Sequence, residues 1–331
     1  MTNPSLLGPW VRRFLIEHLI GERNLSHNTQ ASYRDTLALL LPFAAQAVKC
    51  PLDRLIIESF SAAIVRRFLG YIENERGCGI ATRNQRLAAI HSLARFIAFH
   101  NPEYLAWYTE IRAVPFKKTA KPTLAYLEKP EMDALLTLPD RHTKLGCRDY
   151  ALVLFLYNTG ARAQEVADLV IADLTLKGSP SVRIVGKGGK VRHCPLWTST
   201  AEALNVLVAK RQAHDPVFLN RRQQPLTRFG IGALIKRLVK QARQETPSLC
   251  KKAVSVHTIR HTTAVHLLRA GVDINTIRAW LGHVSLDTTN IYAEIDLEMK
   301  AEALAHCEVP AATSTGHWRK NPDLMSFLKA L

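Results

Sequence analysis

The run HTIRHTTAVHLLRAG, residues 257–271, sets His257 and His261 four residues apart with Arg260 beside the second. That spacing puts both imidazoles on one face of a helix, as in zinc-binding helices. The zinc metalloprotease pattern, however, has a glutamate directly after its first histidine and uses it as the base. Here Thr258, Ile259 and Arg260 follow His257, and a guanidinium beside a dication is repelled by it. An anion suits this trio better than a metal.

Three other segments carry residues of the same chemical kind. In NTGARAQEVADL, Thr159-Gly160 makes a turn and Arg162 starts the next helix, where free backbone N–H groups and the helix dipole already favour an anion. Taken alone, the motif leaves a lesser alternative, Arg162 as a surface arginine paired with Glu165. Lys187 sits in the turn GKGGK, whose glycines let backbone approach a ligand closely; the G-x-x-x-x-G-K-[ST] pattern is absent and a strand follows, which argues against nucleotide hydrolysis. His283 falls in a loop within WLGHVSLDTTNIYAEI, with Tyr292 nine residues further on. A lone tyrosine is ordinarily a core or rim residue and gains weight only from its company. Phosphoryl transfer at DNA without a metal needs a protein nucleophile, cations for the nonbridging oxygens and an acid for the leaving oxygen. Arg162, Lys187, His257, Arg260, His283 and Tyr292 include a candidate for each part.

The elements that must position these groups form two domains. The chain has 331 residues, 47% hydrophobic and 22% charged, enough for two cores rather than one. From Leu6 to about Glu110 the pattern is helical. SHNTQASYRDTLALLLPFAAQ opens on a cap at Ser26 or Asn28 and spaces Tyr33, Leu37, Leu40 and Leu41 along one face. IATRNQRLAAIHSLARFIAFH turns Ile80, Leu87, Ile90, Leu93, Phe96 and Ile97 inward and Arg83, Arg86 and Arg95 outward. Prolines 115 and 122 interrupt the periodicity in a lysine-bearing linker, residues 113–129. The expected organisation is a helical DNA-binding domain over 1–112 and a mixed α+β domain over 130–331, mainly α, with one small antiparallel hairpin or sheet at SVRIVGKGGKVRHCPL. In TRFGIGALIKRLVKQARQ, Ile231, Leu234, Ile235, Leu238 and Val239 face in, and Lys236, Arg237, Lys240 and Arg243 face out as a groove-binding surface would.

Charge narrows the partner. A formal net charge of +16 implies a polyanion, with nucleic acid ahead of a membrane surface. The six cysteines are scattered singly, in no metal-ligating pattern, and read as reduced thiols. No apolar run reaches the roughly 20 residues of a membrane helix, and the opening MTNPSLLGPWVRRF lacks signal-peptide character. The expected location is the cytoplasm.

With TGAR and Glu165, GKGGK before a strand, HTIRHTTAVHLLRAG, LGHVSLDTTNIY and the amino-terminal SHNTQASYRDTL, the chain resembles the tyrosine recombinase (phage integrase) family, as in Xer proteins and mobile-element integrases. The resemblance spans nearly the whole chain; Ile259 and Trp280 stand where leucine is commoner, both as apolar exchanges. It implies a site-specific recombinase that cleaves and rejoins double-stranded DNA through a 3′-phosphotyrosyl link, with no metal, ATP or other cofactor. Arg162 and Arg260 would clamp the scissile phosphate, Lys187 protonate the 5′ oxygen, His257 assist proton removal, His283 hydrogen-bond the phosphate and Tyr292 attack. Glu165 would orient its neighbours, and His261 and His266 would be structural. The family's tetramers pass carboxy-terminal segments between protomers, and Leu324, Phe327, Leu328 and Leu331 form an apolar stripe suited to that exchange. The alternatives are a type IB topoisomerase with the same chemistry and a non-catalytic DNA-binding regulator, which would be expected to have a broken catalytic set.

Overall fold

The computed structural model describes residues 5–119, 125–282 and Ser326, and of Lys187 the backbone alone. The chain divides into two compact units, Met1–Pro122 and Thr123–Leu331. The fold is mainly helical, with one small sheet in the second unit.

In the first unit the described helices are α1 (Leu7–Arg13), continued by a π-helical stretch Phe14–Glu22, then α2 (His27–Ala47), α3 (Ala62–Asn74), α4 (Ile80–His100) and α5 (Leu105–Arg112). Ser61 caps α3 by accepting from the Ile64 N–H at 3.4 Å. The α2 and α4 stripes meet α3 in a core that includes Phe14, Leu37, Leu40, Phe68, Leu93 and Ile97. Two expectations about α4 fail at its first turn. Ile80 is 36% exposed because it is the first helical residue and overhangs the core. Arg83 is buried instead of outward, since the chain after α5 folds back over this turn and brings a carbonyl that needs a donor. Arg83 Nη1 donates to the Pro115 carbonyl at 2.8 Å, and Asn84 exchanges hydrogen bonds with both backbone groups of Lys117. Arg95 keeps the exposed position expected of it.

The second unit begins its helices with α6 (Lys129–Thr137), whose first turn is fixed by the Glu131 carboxylate accepting from the Glu128 N–H at 2.8 Å. Next come α7 (Lys144–Thr159), the short α8 (Ala163–Ala167) and a three-stranded antiparallel sheet in the order β1 (Leu174–Thr175), β2 (Ser181–Val185), β3 (Val191–Pro195). The hairpin pairs Val185 with Val191 across the GKGGK turn. Alternation sends Val182, Ile184, Arg192 and Cys194 to the buried face. Strand β1, two residues long, is too short to carry a period.

Helices α9 (Thr198–Val208), α10 (Arg228–Glu245), α11 (Val256–Arg269) and α12 (Ile274–Leu281) complete the described part. The inward set of α10 is buried as its spacing requires. All four of its outward cations are exposed, and two also bond locally: Arg237 pairs with buried Asp149 and Arg243 donates to the Leu249 and Lys252 carbonyls. Half of that basic face therefore holds local structure. Ser255 caps α11 and Asp273 caps α12 through side-chain oxygens. Gly282, at φ +66°, ends α12 in the left-handed conformation. Among the described residues no helix is long and apolar enough to cross a membrane.

Candidate active site

Arg162 owes its position to the end of α7. Gly160 takes φ +58°, and a Cβ there would overlap Leu281 Cδ2, so the turn demands glycine for conformation and for space. Arg162 then stands as the N-cap of α8, half-buried, with its N–H and its Nη1 donating to the two oxygens of Glu165 at 2.9 and 2.7 Å.

Arg260 comes from the second turn of α11, a hundred residues away in sequence, and is 1% exposed. Its Nη1 donates to the Gly160 carbonyl at 2.6 Å and its Nη2 to the Leu281 carbonyl at 2.7 Å. One guanidinium thus ties the turn before Arg162 to the end of α12, two residues before His283. Charge-assisted bonds to carbonyls otherwise left over at helix ends make a rigid junction. Thr263 reinforces it by donating to the Tyr157 carbonyl at 2.7 Å.

His257 and His261 share a face of α11 as their spacing requires, with ring centroids 4.6 Å apart in an edge-to-face contact. Among the described residues no group of three His, Cys, Asp or Glu side chains comes together. The packed surroundings of the His257 ring, then the charges of Arg260 and Arg162, push its pKa below 6.5. Burial, then His257 and Arg260, push His261 down to about 4. Both rings are therefore neutral at pH 7. His266 packs against Tyr157 and bonds its hydroxyl at 2.7 Å.

The carboxylate behind Arg162 has a second partner that the sequence reading missed. Arg192, on the buried face of β3, donates from Nη2 to Glu165 Oε2 at 2.6 Å and from Nε to the Trp280 carbonyl at 2.9 Å. Burial alone would raise the Glu165 pKa, but its bonds to Arg192 and Arg162 hold it below the usual carboxylate range. A signal was available: in VRHC, a two-residue period puts Arg192 in phase with Cys194, facing inward. Trp280 is also more than an apolar exchange, for its Nε1 donates to the Asn158 carbonyl at 3.1 Å.

Lys187 lies in the hairpin turn adjoining this cluster, because a Cβ on Gly186 would come within 3.3 Å of Glu165 Oε1. A cleft of about 750 Å³ opens beside it, lined by Arg162, Lys190, Arg192, His193, Arg278 and neighbouring residues. Of the six candidates, Arg162, His257, Arg260 and the Lys187 backbone converge in one region. His283, Tyr292 and the tail stripe lie outside the described residues. The described residues thus provide a cationic cleft and, close enough to Arg260 and Arg162 to feel their charge, the neutral imidazole of His257.

Residues 125–299 match the phage integrase family, and residues 11–99 match the N-terminal SAM-like domain of phage integrases. The integrase/recombinase y4rC of Sinorhizobium fredii is 38% identical over 333 residues, covering all of both chains. The tyrosine recombinase XerC of Pelobacter propionicus is 30% identical over 311 residues, covering 92% of this chain and 96% of that protein. Among solved structures, the XerH site-specific recombinase bound to palindromic difH substrate, a post-cleavage complex, has a similar fold. The match has a TM-score of 0.67 at 22% identity and covers 86% of this chain and 81% of that one. The chain belongs to the phage integrase family and is a tyrosine-type site-specific recombinase.

Proposed function

We propose that the chain cleaves and rejoins double-stranded DNA at specific sites through a 3′-phosphotyrosyl intermediate on Tyr292, without metal or ATP, in the cytoplasm. The observation that carries this reading is the Arg260 junction. By donating to Gly160 and Leu281 it draws the Arg162 turn, the α11 helix with His257 and the segment entering His283 into one region. Two fixed guanidinium groups supply the positive charge that a pentacoordinate phosphorane needs, in a position that costs no reorganisation.

In the proposed step the Tyr292 oxygen attacks the phosphorus, its proton passing to His257. The bond to the 5′ oxygen breaks as Lys187 protonates it, and His283 hydrogen-bonds a nonbridging oxygen. The depressed pKa of His257 suits this role, because a neutral imidazole can accept a proton at pH 7. The new phosphotyrosyl bond conserves the energy of the broken one, so attack by a 5′ hydroxyl reverses the step on the same or a second strand. Assembly on paired sites would be tetrameric, with residues 321–331 docking on a neighbouring protomer.

A nicked suicide substrate tests the chemistry. Wild type should trap a covalent protein–DNA band that survives denaturation and forms equally in excess EDTA. Tyr292→Phe should bind the same DNA and form no adduct. An adduct of undiminished yield from that variant would falsify the nucleophile assignment, and loss in EDTA restored by a divalent metal would overturn metal independence.

A further inference from the structure

Glu165 presents an electrostatic difficulty for the site just described. A carboxylate in direct contact with Arg162 cancels the charge that Arg162 must offer to a phosphate. With Arg162 as sole partner, the pair would be neutral and closed, and the Glu165 carboxylate and the phosphate would compete for one guanidinium. Yet the carboxylate is needed: it accepts the Arg162 N–H, fixing the first turn of α8, and aims the side chain.

Arg192 resolves the conflict. Its side chain is 8% exposed, and its Nη2 occupies Glu165 Oε2 at 2.6 Å while Arg162 Nη1 occupies Oε1 at 2.7 Å. Two guanidinium groups and one carboxylate leave the trio with a single positive charge. The geometry decides where it resides. Arg192 is enclosed, with Nε committed to the Trp280 carbonyl and Cδ within 3.2 Å of where a Gly282 Cβ would stand. Both arginines border the cleft, but the Arg162 side chain is 38% exposed against 8% for Arg192. The buried arginine neutralises Glu165, and the excess charge stays on the arginine that faces the ligand.

We infer that Arg192 is a positioning residue of the recombination reaction: it neutralises Glu165 so that Arg162 remains cationic toward the scissile phosphate. Through the Trp280 carbonyl it also ties the hairpin strand leading from Lys187 to the end of α12, just before His283. Both effects act through other residues, Glu165 and Trp280. The inference rests on the phosphate-clamp role proposed above for Arg162.

The test is a charge rescue in the suicide-substrate assay, on full-length protein with single-turnover rates. R192Q turns the trio neutral and should slow adduct formation on the order of 10- to 100-fold, the usual cost of removing a partner that orients a working group. Adding E165Q restores the single positive charge and should recover at least about tenfold of that loss. A residue needed only for packing would give a double variant no faster than R192Q alone, which overturns the inference, as does an R192Q rate equal to wild type. If R192Q does not fold, R192M is compared in the E165Q background, where no carboxylate remains to neutralise: there the loss should fall below about threefold. A full loss in that background overturns the inference. Tyr292→Phe run in parallel separates the two levels, since an adduct from that variant breaks the nucleophile assignment whatever the Arg192 variants do.

Discussion

The two units bury different things. In the first, the described polar or charged residues that are buried are Thr36, Arg83 and His91, and the interior is otherwise apolar side chains, rings prominent among them. The second buries Glu131, Asp149, Glu165, Arg192 and Arg260, several of them in ion pairs or bonded to carbonyls at helix ends. An apolar core tolerates exchange at constant volume, whereas a buried charge holds its partners in one geometry and is costly to leave unpaired. The contrast separates a unit whose interior is chiefly apolar packing from one whose interior also fixes charged groups in place. Arg162 and Arg260 show the same contrast within the second unit: one is half-buried and paired to a carboxylate, the other enclosed and bonded to two carbonyls.

Removing each arginine should break that comparison most visibly. Arg162→Ala and Arg260→Ala should each lose about 3 to 4 kcal/mol of transition-state stabilisation, by analogy with lost oxyanion donors. Their stabilities should diverge. Arg260→Ala leaves two buried carbonyls without donors, at about 1 to 3 kcal/mol each, while Arg162→Ala should shift stability by less than about 1 kcal/mol because Arg192 still satisfies Glu165. Single-turnover cleavage beside urea unfolding separates the two, and equal stability losses would mean that the Arg260 junction is not structural.

In the first unit the expected pattern inverts. Phe68→Ala, at a position with no exposure, should destabilise by about 3 to 5 kcal/mol. Measured on whatever fraction stays folded, the cleavage rate of bound DNA should remain near wild type. A rate loss matching that of Arg162→Ala would show that the first unit contributes to chemistry as well as to stability.

Acid should give the smallest and most graded difference. His91 in the first unit, and His257, His261 and His266 in the second, have folded pKa values below 6.5. The unfolded chain takes up protons at these rings near pH 6.5 and the folded chain only at lower pH. Stability therefore falls as pH drops below 6.5, through a window reaching about 4 for His261. As pH falls through a glutamate's ordinary 4.5 and below, the lowered carboxylates Glu165 and Glu131 lose their contribution in turn. Hydrogen exchange resolved by unit should show the second opening first. The acid limb of the cleavage rate, set by His257, should lie below pH 6.5; a limb above that value would assign proton transfer to another group.

How much of this was legible in the sequence depends on the range of the interaction involved. Local signals were sufficient for the glycine turn before Arg162, the α10 stripe and the hairpin around GKGGK, because propensity and periodicity act within a turn or two of the chain. The same range explains how His257 and Arg260 could be picked out, since both lie within one helical run and need no distant partner to be noticed. The misses share one cause. Arg83 looked like an outward cation until Pro115 came back over it, Trp280 like an apolar exchange until its ring met the Asn158 carbonyl, and Arg192 like an ordinary strand residue until Glu165, 27 residues earlier, and Trp280, 88 residues later, closed around it. A sequence states which groups can donate and accept. Only the packed chain decides which carbonyls and carboxylates are removed from water and must be met, and so it was the tertiary structure that joined the Arg162 turn, the Arg260 helix and the end of α12 into one charged junction.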